Sequence, residues 1–156
     1  MNRTVNNPNQ SLPYHIRGAF RGFETALARY LATKEFPLSQ FYILRLQWDA
    51  QGESQKTLAQ KSFMTESVAS QVIKAMEKEG LLERKSDPTD ARKKIVFLTP
   101  KGQTLRAEIM THGMTLSKSH YSPDISPEDI RTTIDVLIKV RESFDTYNAA
   151  YLKTNS

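Results

Sequence analysis

The sequence predicts a mostly α fold with a small β element, an α+β chain of six helices and one β-hairpin. Three observations predict it. Apolar residues recur at spacings of three and four over most of the chain, as they do on the buried stripe of a helix. Ser11, Ser54, Thr65, Thr99 and Ser126 each stand immediately before such a stretch, where a helix N-cap belongs. Residues 82–98 alone break the helical period, as two short runs joined by a turn rich in Pro and Asp.

The elements follow in order. Residues Met1 to Gln10 are polar and read as an N-terminal arm. After Ser11 comes a long helix with Leu12, Ile16, Phe20, Phe23, Leu27 and Leu31 on one stripe, interrupted by Pro37. A second helix is expected from Leu38 to Gln51, with Phe41, Leu44 and Trp48 on one face. Ser54 opens a short third helix, Gln55 to Lys61, with Leu58 and Ala59 inward; after the turn "SFMT", Thr65 opens a fourth with Val68, Val72, Ile73 and Met76 as its buried stripe. Gly80 stops it. Strands are expected at Leu82–Ser86 and Lys94–Leu98. Thr99 and Pro100 then start a helix running toward Tyr121, and Ser126 and Pro127 start the last, whose Glu128 and Asp129 suit the positive end of the helix dipole. That helix is expected to bury Ile130, Ile134, Leu137, Ile138, Phe144 and Tyr151.

Composition narrows the function. The net charge is +5 over 156 residues, and Gln55 to Lys101 holds ten Lys and Arg against six acids, so this third of the chain carries four of the five net positive charges. A polyanionic partner fits that distribution. Cysteine is absent, which excludes disulfides, thiolate metal sites and thiol redox switches. The N-terminal "MNRTVNNPNQ" has no apolar core for a signal peptide, and no stretch approaches the ~20 apolar residues that span a bilayer. A soluble, cytoplasmic protein with no membrane partner is expected.

A short helix, a tight turn and a capped helix form a helix-turn-helix, and a hairpin directly after it makes the winged version. A helix fits the ~12 Å major groove when one face is held by the domain and the other is free to touch bases. The free face of the fourth helix carries Glu66, Ser67, Ser70, Gln71 and Lys74, with Thr65 at its start. Gln71 can pair bidentately with adenine, Ser67 and Ser70 can reach a base edge or a phosphate, and Lys74 suits a phosphate. Glu66 either accepts from a cytosine amino group or simply complements the first-turn dipole. The hairpin turn "SDPTDARKKIVFLTPKG" is longer and more basic than a plain strand connection needs. With Arg84, Asp90, Arg92, Lys93 and Lys94 on or beside it, an arginine can enter the neighbouring minor groove, and Asp90 can hold Arg92 by a charge-assisted hydrogen bond.

At "LAQKSFMTESVASQVIKAMEKEGLLERKSDPTDARKKIVFLTPKG" the sequence resembles the MarR family of bacterial winged-helix regulators, and the likeness runs from about Leu12 to Tyr151. The resemblance implies that Arg92 is the minor-groove arginine and Asp90 its partner. It also implies a homodimer built by the terminal helices, a palindromic operator, and repression relieved by a small ligand. Residues 38–99 would then be the DNA-binding domain, 11–37 and 100–156 the helical dimerisation region, and 1–10 a flexible arm. Gln71 departs from the Arg or His of many members, and Val68–Ala69 from the frequent Thr-Val, so the operator cannot be borrowed. Dimerisation also has support of its own, because long apolar stripes outside the winged unit need a second chain to cover them.

The first helix repeats small residues at Gly18, Gly22 and Ala26, although each Gly costs about 1 kcal/mol relative to Ala. A close helix crossing or room for a ligand would explain them. Arg17 and Arg21, four apart, mildly repel each other. By analogy with family pockets they join His15, Tyr42, Arg45 and Trp48 as an expected site for an aromatic acid or its CoA thioester, though Glu24 could simply pair with Arg21. No enzyme is expected: His15, His112 and His120 lack metal-ligand spacing, there is no phosphate loop, and neither metal nor cofactor is called for. The alternative is a winged-helix adaptor that binds protein and not DNA, but an adaptor has no need of a basic wing.

Overall fold

The computed structural model describes residues 10–46, 48, 52–87, 90, 94–119 and 123–154, with residues 112–119 described in backbone only. Among the described residues six helices and three strands follow one another: α1 Leu12–Ala32, α2 Leu38–Leu44, β1 Glu53–Ser54, α3 Gln55–Lys61, α4 Glu66–Lys78, β2 Leu82–Ser86, β3 Lys94–Leu98, α5 Pro100–Ser119 and α6 Pro127–Thr154. The chain divides into two compact units, Met1–Leu116 and Ser117–Ser156.

The first unit holds the core. Leu27 and Leu31 from the end of α1 meet Phe41, Ile43 and Leu44 of α2, Leu58 of α3, Ile73 and Met76 of α4, Leu82 and Val96 of the sheet, and Ile109 of α5. Fully burying side chains of this kind stabilises by about 1.5–3 kcal/mol each. The strands form an antiparallel sheet in the order β1-β3-β2, with Leu82 opposite Leu98 and Ser86 opposite Lys94 in the hairpin.

Four of the five expected caps close on a side chain, while Ser11 precedes α1 without a side-chain cap bond. Ser54 accepts from the Thr57 amide at 3.1 Å, Thr65 from the Val68 amide at 3.3 Å and Thr99 from the Gly102 amide at 3.0 Å. At α6 the Ser126 hydroxyl accepts from the Asp129 amide, while the Asp129 carboxylate accepts from the Ser126 amide at 2.9 Å. The Ser126 hydroxyl also donates to that carboxylate at 2.6 Å, and this bond, then the Ser126 amide, hold the Asp129 carboxyl below its usual range. The end of α4 is equally explicit. Gly80 adopts φ +72, and the Leu81 amide reaches back to the Met76 carbonyl while the Gly80 amide reaches that of Glu77. Those paired bonds make the left-handed cap that glycine permits without strain.

Four expectations are corrected. The second helix ends at Leu44, not Gln51, because Arg106 of α5 donates its Nε to the carbonyls of Leu44 and Leu46 at 3.1 and 3.2 Å. Those carbonyls are therefore satisfied without another helical turn. Val68 is 45% exposed and Ala69 takes its place in the buried stripe, since a first-turn position one residue earlier on the helix rotates outward. A third strand, β1, joins the hairpin through Glu53↔Val96 and Ser54↔Ile95, although two residues are too few to show a period of two. Finally, α6 buries no residue: Ile134, Leu137, Ile138, Phe144 and Tyr151 are all exposed, and so are Leu12, Ile16, Phe20 and Phe23 of α1. An apolar period marks a face that needs covering, not what covers it.

Candidate nucleic-acid interface and adjoining cleft

The fourth helix has two faces of opposite character. Ala69, Val72, Ile73 and Met76 fix one of them in the core, Ile73 and Met76 at 0% exposure. Glu66, Ser67, Val68, Gln71 and Lys74 are exposed on the other, with Ser70 half-buried at its border and Thr65 exposed at the cap. The helix is braced at its far end from three directions. Gln40 of α2 is buried and donates to the Glu79 carboxylate at 2.8 Å, Lys101 of α5 donates to the Glu79 carbonyl at 2.7 Å, and the Thr99 hydroxyl donates to the Gly80 carbonyl at 2.7 Å. A helix held this way presents its free face at a fixed angle.

The hairpin springs directly from that end. Strand alternation puts Leu82 and Arg84 on one face and Glu83 and Lys85 on the other. Lys85 lies 2.6 Å from Glu83 and its ammonium sits 5.0 Å from the centroid of the Phe97 ring. Arg84 turns inward, its Nη2 standing 3.1 Å from the Glu77 carboxylate of α4. Lys94 is exposed and donates to the Ser86 hydroxyl at 2.8 Å, in the last strand pair before the turn of the wing. Asp90 is half-buried. Arg92 and Lys93 lie outside the described residues, so the expected Asp90–Arg92 pairing does too.

The expected ligand residues divide. Tyr42 and Arg45 of α2 line a cleft of about 570 Å³ together with Phe20 and Glu24 of α1, Leu38, Ser39 and the turn Ser62–Met64. Tyr42 donates to Glu24 at 2.7 Å, and the Arg45 guanidinium lies 5.8 Å from the centre of the Tyr42 ring. Burial, and then that bond to Glu24, push the Tyr42 hydroxyl well above its usual range, so it stays a neutral donor. Glu24 thus partners Tyr42, whereas the alternative to a ligand role for Arg21 pairs Glu24 with Arg21. His15, Arg17 and Arg21 lie instead on a shallow face of α1 beside Tyr14, Gly18 and Ala19. Trp48 is half-buried, and its indole N–H meets no acceptor among the described residues. Among the described residues nothing comes within 4 Å of a Cβ built on Gly18 or Gly22, so no close helix crossing among them explains these glycines.

Sequence reasoning missed two contributors. Val68 joins the free face, where a methyl-bearing side chain suits a thymine methyl; its adjacency to Ser67 was the available signal. Phe63, 73% exposed with φ +57, stands at the turn between α3 and α4 and lines the cleft. A bulky residue in that backbone region has no sequence signature. Among the described residues no group of three or more His, Cys, Asp and Glu could hold a metal ion, and no helix is long and apolar enough to cross a membrane.

Comparison with known proteins agrees with this architecture. The sequence model of the MarR family matches residues 36–94, from the start of α2 to the far side of the wing. The chain is 27% identical over 113 residues to the HTH-type transcriptional regulator TtmR of Methylorubrum extorquens, a match covering 70% of this chain and 58% of that protein's length. It is 25% identical over 122 residues to the HTH-type transcriptional regulator MgrA of Staphylococcus aureus, covering 75% of this chain and 81% of MgrA. Among solved structures, CouR from Rhodococcus jostii RHA1 bound to p-coumaroyl-CoA superposes with a TM-score of 0.76 at 19% identity, over 87% of this chain and 95% of that one. The repressor CouR bound to a 23-mer DNA duplex superposes with a TM-score of 0.76 at 19% identity, over 90% and 99%. The matched segment holds the helix-turn-helix, the Schellman-capped fourth helix and the wing as far as the first residue of β3, and the chain is similar to MarR-family winged-helix transcriptional regulators, which are not a family of enzymes.

Proposed function

We propose that this regulator binds duplex DNA sequence-specifically as a homodimer and acts as a ligand-responsive repressor on a palindromic operator. The observation that carries the reading is the split character of α4: four core residues hold it, and Ser67, Val68, Gln71 and Lys74 stand exposed beside a wing that supplies basic charge. A solved relative in fold, CouR, was captured on a 23-mer duplex. Thr65, Ser67, Ser70 and Gln71 would contact bases or nearby phosphates, Lys74, Lys93 and Lys94 phosphates, and Arg92, oriented by Asp90, the minor groove. The exposed apolar residues of α1, and separately those of α6, support a second copy as their cover. A twofold dimer sets two reading helices one DNA turn apart.

Substitution separates the roles. Gln71→Ala should cost about 1–3 kcal/mol on the preferred duplex and relax preference at one base pair. Lys74→Ala should weaken all duplexes alike and reduce the salt slope by about one. Equal, small effects of both on every duplex would favour a solvated helix face and the protein-binding adaptor.

The cleft beside Tyr42 and Arg45 suits an aromatic acid or its CoA thioester: Arg45 would meet the acid group, Tyr42 and Glu24 a polar ring substituent, and Phe20, Phe63 and Met64 the ring. His15, Arg17, Arg21 and Trp48 would serve only an extended ligand. CouR, similar in fold, was captured with p-coumaroyl-CoA. Aromatic acids that release DNA should raise the melting temperature of the wild-type chain and lose that shift in Arg45→Ala. A shift retained in Arg45→Ala and lost in Arg17→Ala would move the site to the α1 face.

A further inference from the structure

Arg84 is basic, lies on the wing and belongs to the positively charged third of the chain, which would assign it to a phosphate. Its surroundings say otherwise. It sits opposite Val96, which is 0% exposed, and shares the inner face of β2 with Leu82, which is 3% exposed. Its side chain is 23% exposed, and its Nε and Nη2 are both shut off from solvent with no hydrogen bond among the described residues. What its Nη2 does meet, at 3.1 Å, is the carboxylate of Glu77, itself 27% exposed and the second-to-last residue of α4. The contact is a charge pair in a partly dry setting, where attraction is screened far less than at an open surface. It joins the helix and the hairpin, and the only covalent path between them is the short turn at Gly80 and Leu81.

We propose that Arg84 is a positioning residue: its pair with Glu77 sets the angle between the wing and the groove-reading helix, so that both meet the duplex together. This rests on the DNA-binding reading above. A guanidinium spent on Glu77 releases no counterion from DNA, whereas one on a phosphate does. The two roles therefore differ in salt dependence, and they give opposite signs when Glu77 is neutralised. If Arg84 touched a phosphate, removing Glu77 would free it and tighten binding. If Arg84 positions the wing, removing Glu77 loosens binding although a negative charge near DNA has been deleted.

The experiment uses the full chain with Arg84→Gln, Glu77→Gln, both together, and Arg84→Lys, on a mixed-sequence duplex of about three helical turns, titrated with salt. The expected result is a loss of roughly fivefold to tenfold for each single variant, with the double variant no weaker than either, as for two residues acting through one contact. The slope of log affinity on log salt should stay at the wild-type value, and Arg84→Lys should recover part of the loss. A slope shallower by about 0.9 in Arg84→Gln, with equal or tighter binding by Glu77→Gln, overturns the proposal. Amide exchange across β2 and β3 is read on the same proteins without DNA. Faster exchange in both single variants supports the strut, and unchanged exchange in both overturns it. Should the wild-type chain bind no duplex, the DNA reading fails by itself, and the exchange measurement still decides what Arg84 does.

Discussion

Replacing Gly102 with alanine is expected to lower stability by about 3 kcal/mol, the upper end of what overpacking costs. A Cβ at this position would stand 2.1 Å from the Leu81 carbonyl oxygen and 3.1 Å from the Leu81 carbonyl carbon. These are backbone atoms, so no rotamer change relieves the clash. The same carbonyl already accepts from the Thr99 amide at 3.1 Å and from the Thr99 hydroxyl at 3.2 Å. The first turn of α5 thus docks on the residue that joins α4 to the wing. Pushing that turn away breaks the Thr99 bonds and shifts the root of the hairpin. Thermal unfolding followed by circular dichroism should show a midpoint lower by about 10 °C, taking roughly 2–4 °C per kcal/mol for a chain of this size. A midpoint within a degree or two of wild type would show that α5 does not seat there.

The second large effect concerns the backing of α4. Ile73 is 0% exposed and belongs to the core shared with α1, α2, α3 and the sheet. Ile73→Ala should destabilise by about 2–5 kcal/mol through lost burial and the cavity left behind. Lys74→Ala, one residue on and exposed, should stay within about 0.5 kcal/mol. Urea unfolding midpoints measure both. Similar midpoints for the two variants would mean that the helix is not fixed by its inner face, and the fixed outer face would have no support.

Much of this architecture is legible in the residues. Polar caps such as Ser54, Thr65 and Thr99 are local chemistry, requiring only an amide two or three residues on, and so they fix helix starts without knowledge of the fold. Gly80 is legible for the same reason. Helix ends are less so: α2 stops at Leu44 because Arg106, 62 residues away, takes its carbonyls, and nothing near Leu44 says this. On α4, helical spacing aligns Val68 with Val72 and Met76, and Ala69 with Val72, Ile73 and Met76, so the period alone does not choose between the two neighbours. Packing against the rest of the unit decided for the smaller one. The exposed stripes of α1 and α6 show the converse, a period that is right and a burial that one chain does not provide.

For the site, residue types on α4 could be assigned to a face because a 3.6-residue period determines which positions align. Arg84 could not be assigned by charge alone. Its alternation with Leu82 on β2 pointed inward, but the carboxylate it meets comes from a different element. The cleft was half legible: Tyr42 lies four residues after Leu38 and Arg45 three after Tyr42, at helical spacing, while Glu24, Phe20 and Phe63 join them only through the fold.

The central physical claim is that phosphates and base edges are met by a core-backed helix and a basic hairpin. The most direct measurement is the affinity of the full chain for fragments selected from its own genome, followed across a salt series. Selected fragments should share an inverted repeat, and their affinity should fall along a straight line in log salt. With about six to ten phosphates neutralised per complex, the drop should be roughly 10³–10⁵-fold between about 50 and 200 mM. Recovery of no fragment above background, or an affinity indifferent to salt, would contradict it.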